Sequence, residues 1–295
     1  MWRPSVVLAA LAASGACVVP ASPPNKAAFP AIPVPPPQVA SFDGSEFTVG
    51  GAHEQGGWLR GKVPAGTARL MLGETELRLS DAGRYFFAGI DRDAPAQLRL
   101  TAISTNGQTI SREMAIARRA WPIEHVNIPL RGSVPSETFM AMRRPELEAI
   151  EAARAVRSDS LGWTQSFAWP VKGRISGRFG SQRIYQGVPG AYHSGLDIAP
   201  GNGVPYVAPA DGVVVLAAEM PFSLEGNLVI IDHGMGLNSA FLHSSRLAVR
   251  EGDRVKQGQL IGYIGATGRA SGPHLHWSLK WQDARLDPLL FLPQQ

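Results

Sequence analysis

The residue types best suited to chemistry cluster in the last third of the chain, where five of the seven histidines follow residue 190. His193 and Asp197 are four positions apart, a gap that puts both side chains on one face of a helix or of a strand. Glycines and prolines surround this pair, so we expect a strand or a tight loop there. His274 and His276 are two positions apart, and in a strand both imidazoles would point to the same face. His243 is a further histidine in the same region.

These side chains offer the donor atoms that zinc takes in proteins. Zinc commonly binds imidazole nitrogens and carboxylate oxygens, and a catalytic zinc keeps one position open for water. Taken separately, a His-x-His pair is more typical of packed or surface histidines than of a metal site. A His-x-x-x-Asp spacing alone is an even weaker indication of a metal site. Their coincidence in one glycine-rich β region, together with His243, favours a metal site.

The segment from Trp169 to Pro293 resembles the lysostaphin-type, or LytM-type, zinc peptidases, which cleave cross-bridges of bacterial peptidoglycan. The resemblance covers nearly all of this segment and rests on many separate motifs in the family's order. The matching stretches are Gly177-Arg-Phe-Gly180, His193-Ser-Gly-Leu-Asp-Ile198, Ala208-Pro-Ala-Asp-Gly-Val213, Val229-Ile-Ile-Asp-His-Gly234, Leu242-His243, Gly252-Asp-Arg-Val255, Gly258-Gln-Leu-Ile-Gly262, Gly265-Ala-Thr-Gly268 and Gly272-Pro-His-Leu-His-Trp277.

The resemblance implies a role for each residue of the set. It implies one zinc ion per chain, held by His193, Asp197 and His276, and it makes His243 and His274 the catalytic histidines. Zinc lowers the pKa of a bound water toward about 7 and polarises the scissile carbonyl. One imidazole would act as the base, and the other would stabilise the oxyanion or protonate the leaving amine. Either His243 or His274 could take either role. A serine follows His243 where the family often has leucine, which concerns packing or substrate contact.

Two functions are compatible with this resemblance. The first is a zinc-dependent endopeptidase that hydrolyses peptide cross-links of peptidoglycan. The alternative is a catalytically inactive scaffold that activates cell-wall amidases, because some members of the fold have lost their ligands and act in that way. This chain keeps all five residues, which favours the enzyme.

The elements that must position these residues are mainly β. Residues 166–295 carry short β runs divided by glycine and proline, and the resemblance implies an antiparallel sheet of the duplicated hybrid motif type. Residues 46–118 predict a small β-sandwich module of about six strands, of which the first begins at Trp58, without clustered catalytic residue types. Residues 119–165 form a connector with a helix predicted over 145–157, where apolar side chains share one face.

Several further residues have a structural interpretation. His233 precedes turn-forming glycines and is interpreted as a structural residue, whereas the isolated His53 and His125 receive no role. Tyr206, Tyr263 and Trp277 either line a groove or pack in the core of the sheet.

The N-terminus has the pattern of an export signal. Residues 1–17 combine Arg3, a short apolar stretch and small residues before Cys17, the one cysteine of the chain. They resemble a bacterial lipoprotein signal that leaves a lipidated Cys17, although Ser14 stands where an aliphatic residue is usual. The alternative is an ordinary signal cleaved near Ala16 or Ala21. Residues 18–45 form a proline-rich linker that would hold the folded part away from an anchor.

Composition and signal together limit the location and the partners. The net charge of +4 and the pI of about 9.5 fit either a polyanionic wall or a soluble protein with a slight excess of arginine. No basic run with interleaved aromatics occurs, so nucleic acid is excluded as a partner. We expect the periplasm or outer membrane of a Gram-negative bacterium. The substrate there would be stem peptides cross-linked between D-alanine and diaminopimelate.

Overall fold

The structure of the protein, a computed structural model, describes residues 42–80, 82–129, 136–218 and 220–293. It confirms the mainly β fold predicted from the sequence, with a single α-helix within these ranges. The signal segment 1–17, its Cys17, and residues 18–41 of the linker lie outside the described residues, and so their roles stay predictions. Within the described ranges, no helix combines the length and the apolar character that crossing a membrane requires.

The strands are numbered in chain order. They are Thr48–Ala52 (β1), Trp58–Lys62 (β2), Thr67–Leu72 (β3), Thr75–Leu77 (β4), Tyr85–Gly89 (β5), Gln97–Ser104 (β6), Thr109–Ala115 (β7), Ile123–Val126 (β8), Arg174–Gly177 (β9), Gln182–Tyr185 (β10), Val188–Pro189 (β11), Leu196–Ala199 (β12), Pro205–Val207 (β13), Gly212–Ala217 (β14), Asn227–Asp232 (β15), Leu237–Ser244 (β16), Arg246–Leu247 (β17), Arg254–Val255 (β18), Leu260–Tyr263 (β19), Leu275–Trp281 (β20) and Ala284–Leu286 (β21). The helix α1 spans Glu137–Ala155.

The first seven strands form the N-terminal β module. One sheet has the order β1-β2-β5 and the other has the order β4-β3-β6-β7. Leu59 of the first sheet and Leu100 of the second are fully buried in one apolar core, as in a sandwich. The sequence predicted six of these strands. It missed β1, which contains Gly50 and Gly51, because glycine has a low strand propensity.

The C-terminal region is built on an antiparallel sheet of eight strands. Its order is β18-β14-β15-β16-β20-β12-β9, and β21 pairs with β20. Strands β13, β19 and β17 form a second, three-stranded sheet. The antiparallel arrangement agrees with the sequence prediction. All described residues from both regions belong to one compact unit, and so the domain limits drawn from the sequence stay a prediction.

The eight-stranded sheet has two chemically different faces. Successive side chains of β20 point alternately to one face and to the other. The side chains on its core face are almost fully buried, and they are Leu275, Trp277, Leu279 and Trp281. The side chains between them lie on the other face, which we call the site face, and they are His276, Ser278 and Lys280. One strand therefore contributes to the core with one face and to a groove with the other.

Helix α1 lies on the site face. Ile150 and Ala153 pack there against Leu228, Ile230 and Ala240 of the sheet. The sequence prediction of a helix over 145–157 was wrong at its start, because the helix begins at Glu137.

The cap residue explains that difference. The hydroxyl of Ser136 accepts a hydrogen bond from the backbone N–H of Phe139 at 3.2 Å, which satisfies one free donor of the first turn. Pro145, which suggests a first helical position, instead lies inside the helix.

The connector also supplies a strand that the sequence did not predict. Strand β8 pairs in parallel with β10, so that His125 lies opposite Ile184. Four residues with mostly exposed side chains give no alternation strong enough to indicate a strand. The connector is thereby tied to the loop that leads to His193.

Candidate metal centre

Three donor groups converge on the site face. Asp197 lies in β12 directly opposite His276 of β20, and His193 lies in the loop before β12. The carboxylate Oδ1 of Asp197 is 2.8 Å from Nδ1 of His276 and 3.0 Å from Nε2 of His193. The two imidazole nitrogens are 3.1 Å apart. All three potential ligand atoms thus lie within one small space.

The tautomer of His193 shows that this arrangement suits a cation. Its Nδ1 is 3.1 Å from the backbone carbonyl of Arg178, which can only accept a hydrogen bond. In the neutral ring the proton therefore sits on Nδ1, and the lone pair of Nε2 points toward Oδ1 of Asp197. Two acceptors that face each other at 3.0 Å are stabilised by a positive charge between them.

The spacing of the donors fits zinc in particular. Ligands about 2.0–2.1 Å from a tetrahedral zinc lie roughly 3.3 Å from one another. The three separations of 2.8, 3.0 and 3.1 Å are slightly shorter than that value. Two imidazoles and one carboxylate leave a fourth position free, as in catalytic zinc sites. The residues that could hold a zinc ion are therefore His193, Asp197 and His276.

Local interactions favour an ionised Asp197 and a neutral His276. Burial acts to raise the pKa of Asp197, but the hydrogen bonds and positive charge of His193 and His276 outweigh it and keep that pKa far below its usual range. Burial lowers the pKa of His276, so its ring is neutral near pH 7. Burial also acts to lower the pKa of His193, but the hydrogen bond to Asp197 outweighs it and raises the value.

Two glycines make room for the ligands. A Cβ atom at Gly177 would lie 2.4 Å from Oδ2 of Asp197, and one at Gly195 would lie 2.7 Å from Nε2 of His276. Both distances are too short for a real contact, and so any side chain there would displace a ligand. The sequence motifs that contain these glycines therefore have a steric explanation.

The other two histidines lie beside the three donors. The ring of His243 is 4.9 Å from that of His274 and 6.4 Å from that of His276, measured between centroids. His274 directs Nε2 toward Oδ1 of Asp197 at 3.8 Å. The structure therefore brings all five sequence-predicted residues into one site.

Both of these histidines have the same hydrogen-bonded tautomer. Nδ1 of His243 donates to the backbone carbonyl of Thr267 at 2.8 Å, and Nδ1 of His274 donates to that of Gly272 at 2.8 Å. Each neutral ring then carries an unprotonated Nε2, which can accept a proton. Burial lowers the pKa of His243 and so favours this neutral form.

An unusual backbone conformation turns His243 into the site. Leu242 pairs with His276, so regular alternation would send the next side chain to the core face. His243 has a φ of 65°, in the left-handed region that non-glycine residues rarely adopt, and the alternation is broken there. No sequence pattern predicts this conformation.

His233 has a structural position, as interpreted from the sequence. The ring is fully buried, with Nδ1 2.8 Å from the carbonyl of Asp211 and Nε2 2.7 Å from the hydroxyl of Ser239. Burial lowers its pKa to about 4. Among the aromatic residues considered above, Tyr206 and Trp277 are fully buried in the core and do not line a groove.

A cavity of about 270 Å³ adjoins the metal centre, between α1 and the site face. It is lined by residues of α1, by His276 and by Ser194 of the loop next to His193. The sequence analysis did not connect the helix with the site, because helix and strand are more than a hundred residues apart. A larger cavity of about 630 Å³ contains none of the site histidines.

The convergent donors suit a metal ion, and comparison with known proteins gives the family of this region. Residues 191–288 match the model of peptidase family M23. Residues 191–288 therefore form a peptidase M23 domain, as the sequence resemblance implied.

A solved structure extends the similarity beyond this domain. The chain is 28% identical to a Pseudomonas aeruginosa protein whose crystal structure is described as a peptidase M23. The TM-score is 0.62, and the match covers 81% of this chain and 95% of that one. Because the match is so extensive, it includes residues outside the M23 domain, so the two proteins share more than that domain.

Two of the similar proteins have names that indicate different functions. The chain is 41% identical over 114 residues to the peptidoglycan DD-endopeptidase ShyA of Vibrio cholerae, which is 38% of this chain and 26% of that protein. It is 35% identical over 130 residues to the murein hydrolase activator NlpD of Escherichia coli, which is 44% of this chain and 32% of that protein. The chain thus spans about a third or less of the length of these two relatives.

Proposed function

We propose that the protein is a zinc-dependent endopeptidase that hydrolyses peptide cross-links of bacterial peptidoglycan. The observation that carries the proposal is the complete set of five residues, with three convergent donors and two imidazoles beside them. Zinc held by the three donors would supply a Lewis acid for the scissile carbonyl and a nucleophilic water of lowered pKa. The name of the relative ShyA supports peptidoglycan as the substrate.

The two remaining histidines move protons in this proposal. The unprotonated Nε2 of His243 or His274 accepts a proton from the attacking water, and the protonated ring then donates it to the leaving amine. The carbonyls of Thr267 and Gly272 fix the tautomers and hold the Nε2 atoms toward the site. A positioned acid or base of this kind contributes typically 10²–10⁴-fold to the rate.

The second candidate function is a catalytically inactive activator of cell-wall amidases. It is favoured by the similarity to the murein hydrolase activator NlpD. A protein that acts only by binding a partner has no need for three convergent metal donors and two imidazoles of matched tautomer. The five-residue set is therefore the feature that favours the enzyme.

The remaining regions position the enzyme and control access to its site. We propose that lipidated Cys17 anchors the protein to the outer membrane, facing the periplasm, with residues 18–45 as the tether. The N-terminal β module and α1 modulate entry of substrate and take no part in the chemistry. The substrate is then the stem-peptide cross-link between D-alanine and diaminopimelate.

Digestion of purified peptidoglycan tests the proposal directly. The zinc-loaded protein is incubated with peptidoglycan, and the soluble products are identified by mass spectrometry. Cleavage of peptide cross-links, lost with a chelator and restored by zinc, is the expected result. Absence of peptide products, together with stimulation of an added amidase, would support the activator instead.

A further inference from the structure

The cavity beside the metal centre carries a concentration of positive charge that the reaction proposed above does not use. Four cationic side chains line it, and they are Arg143 and Arg154 of α1, Lys280 of β20 and Arg285 of β21. The one carboxylate among the lining residues is Glu225. The balance of charge in the cavity therefore depends on which cations this carboxylate and its neighbours neutralise.

Arg143 is fully neutralised within the protein. Its guanidinium makes two hydrogen bonds of 2.6 Å to the carboxylate of Glu225 and one of 2.7 Å to Glu146. Such a bidentate pair uses both oxygens of the one carboxylate that lines the cavity. Both oxygens of Glu225 are thus hydrogen-bonded to Arg143, and Glu225 acts on Arg154 only through the attraction of its charge.

The other three cations have weak partners. The Nε of Arg154 is buried and has no hydrogen-bond partner among the described residues. Lys280 is 3.6 Å from Asp283, but that carboxylate is fully exposed, and such a pair contributes little. The guanidinium of Arg285 lies 5.8 Å from the ring centroid of Tyr192, next to His193.

Arg154 and Lys280 are half-buried, whereas Arg285 is exposed. Holding like charges close together in such a place is unfavourable unless an anion joins them. A buried donor without a partner costs about 1–3 kcal/mol, and more when it is charged. Burial lowers the pKa of Lys280, and so do the positive charges of Arg154 and Arg285, which shows that the three groups repel one another. A ligand carboxylate in the cavity would satisfy the free donor and relieve this repulsion.

We propose that Arg154, Lys280 and Arg285 form a subsite that binds a carboxylate of the peptide substrate. The inference rests on the proposed function and names the chemical class of substrate that the groove selects. Guanidinium groups suit this ligand because their planar donors match a carboxylate in two hydrogen bonds. The peptide then lies along the site face, between α1 and β20.

The position of the subsite sets its distance from the bond that is cut. Lys280 follows His276 by four residues on the same face of β20, which corresponds to about 14 Å along the strand. An extended peptide covers that length in about four residues, and the long side chains of the cluster shorten it. The selected carboxylate therefore lies a few residues away from the scissile bond.

Two versions of one substrate test the subsite. The first is a synthetic cross-linked stem-peptide dimer with free carboxylates, and the second is the same dimer with those carboxylates converted to amides. Binding is measured by fluorescence anisotropy on full-length, zinc-loaded protein carrying His274→Ala, in which turnover is slowed. Cleavage of both dimers is measured separately on protein with His274 intact.

The variants are chosen so that the fold is preserved. Lys280→Gln and Arg285→Gln remove two charges, while the structural hydrogen bond from the backbone N–H of Arg285 to Asp91 remains. Lys172→Gln is the matched control, because Lys172 is exposed and does not line the cavity. Without cluster substitutions, the protein should bind the carboxylate form about 10- to 100-fold more tightly than the amide form. The double variant should lose this preference and the control should keep it.

Each outcome separates the subsite from the proposed function. Equal binding of the two dimers, no binding of either, or an unchanged preference in the double variant would overturn the subsite. Cleavage of both dimers at equal rates would leave the endopeptidase in place and overturn the subsite alone. A binding preference that depends on Lys280 and Arg285, without cleavage of either dimer, would support the subsite and refute the endopeptidase.

Discussion

The two faces of the eight-stranded sheet differ in what they demand of the sequence. On the core face, β20 contributes Trp277, whose ring is stacked on Phe241 with centroids 6.3 Å apart, in a region closed to water. On the site face, Nδ1 of the neighbouring residue His276 contacts the carboxylate of Asp197. The polar atoms of the site thus have mainly one another as partners. Residues on one face of this strand thus stabilise the fold, and residues on its other face carry the reactive groups.

The apolar core face explains how the fold tolerates an unfavourable arrangement on the site face. A centre in which acceptors face one another is unfavourable by itself, and the apolar packing behind it supplies the compensating stability. Because side chains alternate along a strand, a substitution on one face should leave the function of the other face largely intact.

The largest effect is expected at a catalytic histidine of the site face. His243→Ala should reduce cleavage of a cross-linked muropeptide by about 10²–10⁴-fold, the contribution of a positioned acid or base. Zinc content and the free energy of unfolding should stay close to the wild-type values, because His243 holds no metal. Loss of zinc from this variant would show that the proposed division of roles is wrong.

The core face should respond in the opposite way. Trp277 is fully buried, so Trp277→Ala should lower the free energy of unfolding by about 3–5 kcal/mol. Denaturant titration of the zinc-free protein gives this value without a contribution from metal. Ser278→Ala, the next residue on the site face, is the matched control and should change stability by about 0.5 kcal/mol at most. Similar losses in both variants would contradict the separation of the faces.

A buried histidine outside the site should make stability depend on pH. Burial lowers the pKa of His233 to about 4, below its ordinary value, so the folded protein resists its protonation. Its contribution is present above about pH 6.5 and is lost as the pH falls toward 4, which amounts to about 3 kcal/mol. His233→Gln should be less stable at pH 7 but should lose less stability on acidification. Parallel pH profiles for the two proteins would refute this role.

The smallest effect is expected from a residue that only makes room for a ligand. A Cβ atom at Gly177 would press on Asp197, so Gly177→Ala should weaken zinc affinity by about 10- to 100-fold. Gly50→Ala is the control, since a Cβ atom there would lie no closer than 3.9 Å to its neighbours. Competition with a zinc chelator measures both affinities. Equal affinities in the two variants would mean that the site adapts to the added methyl group.

The convergence of the site residues could be predicted from the sequence because their spacing coincides with strand geometry. A gap of two residues places His274 and His276 on one side of a strand, and β20 begins between them. The glycines around His193 and Asp197 excluded a helix, and Asp197 does lie in a strand. Residue spacing and the position of glycines are local properties of the chain, so a sequence pattern can indicate their structural consequences.

The features that the sequence missed depend on long-range contacts. The left-handed backbone of His243 follows from the way β15 and β16 pair, with a register shift between Asn227 and Val229. The carbonyls of Arg178 and Thr267, which set the tautomers, are backbone atoms and carry no residue-type signal. The cationic cluster joins α1 to β20 and β21, which only the folded chain brings together.

The most direct test of the account compares the two histidines of the His-x-His pair. His276→Ala and His274→Ala are purified without chelators, and zinc content and cleavage of a cross-linked muropeptide are measured on each. His276→Ala should lose both zinc and turnover, because its Nδ1 is a ligand. His274→Ala should keep one zinc per chain and lose about 10²–10⁴-fold of its activity. Zinc retained in His276→Ala but lost from His274→Ala, or wild-type cleavage by both, would contradict the proposed centre.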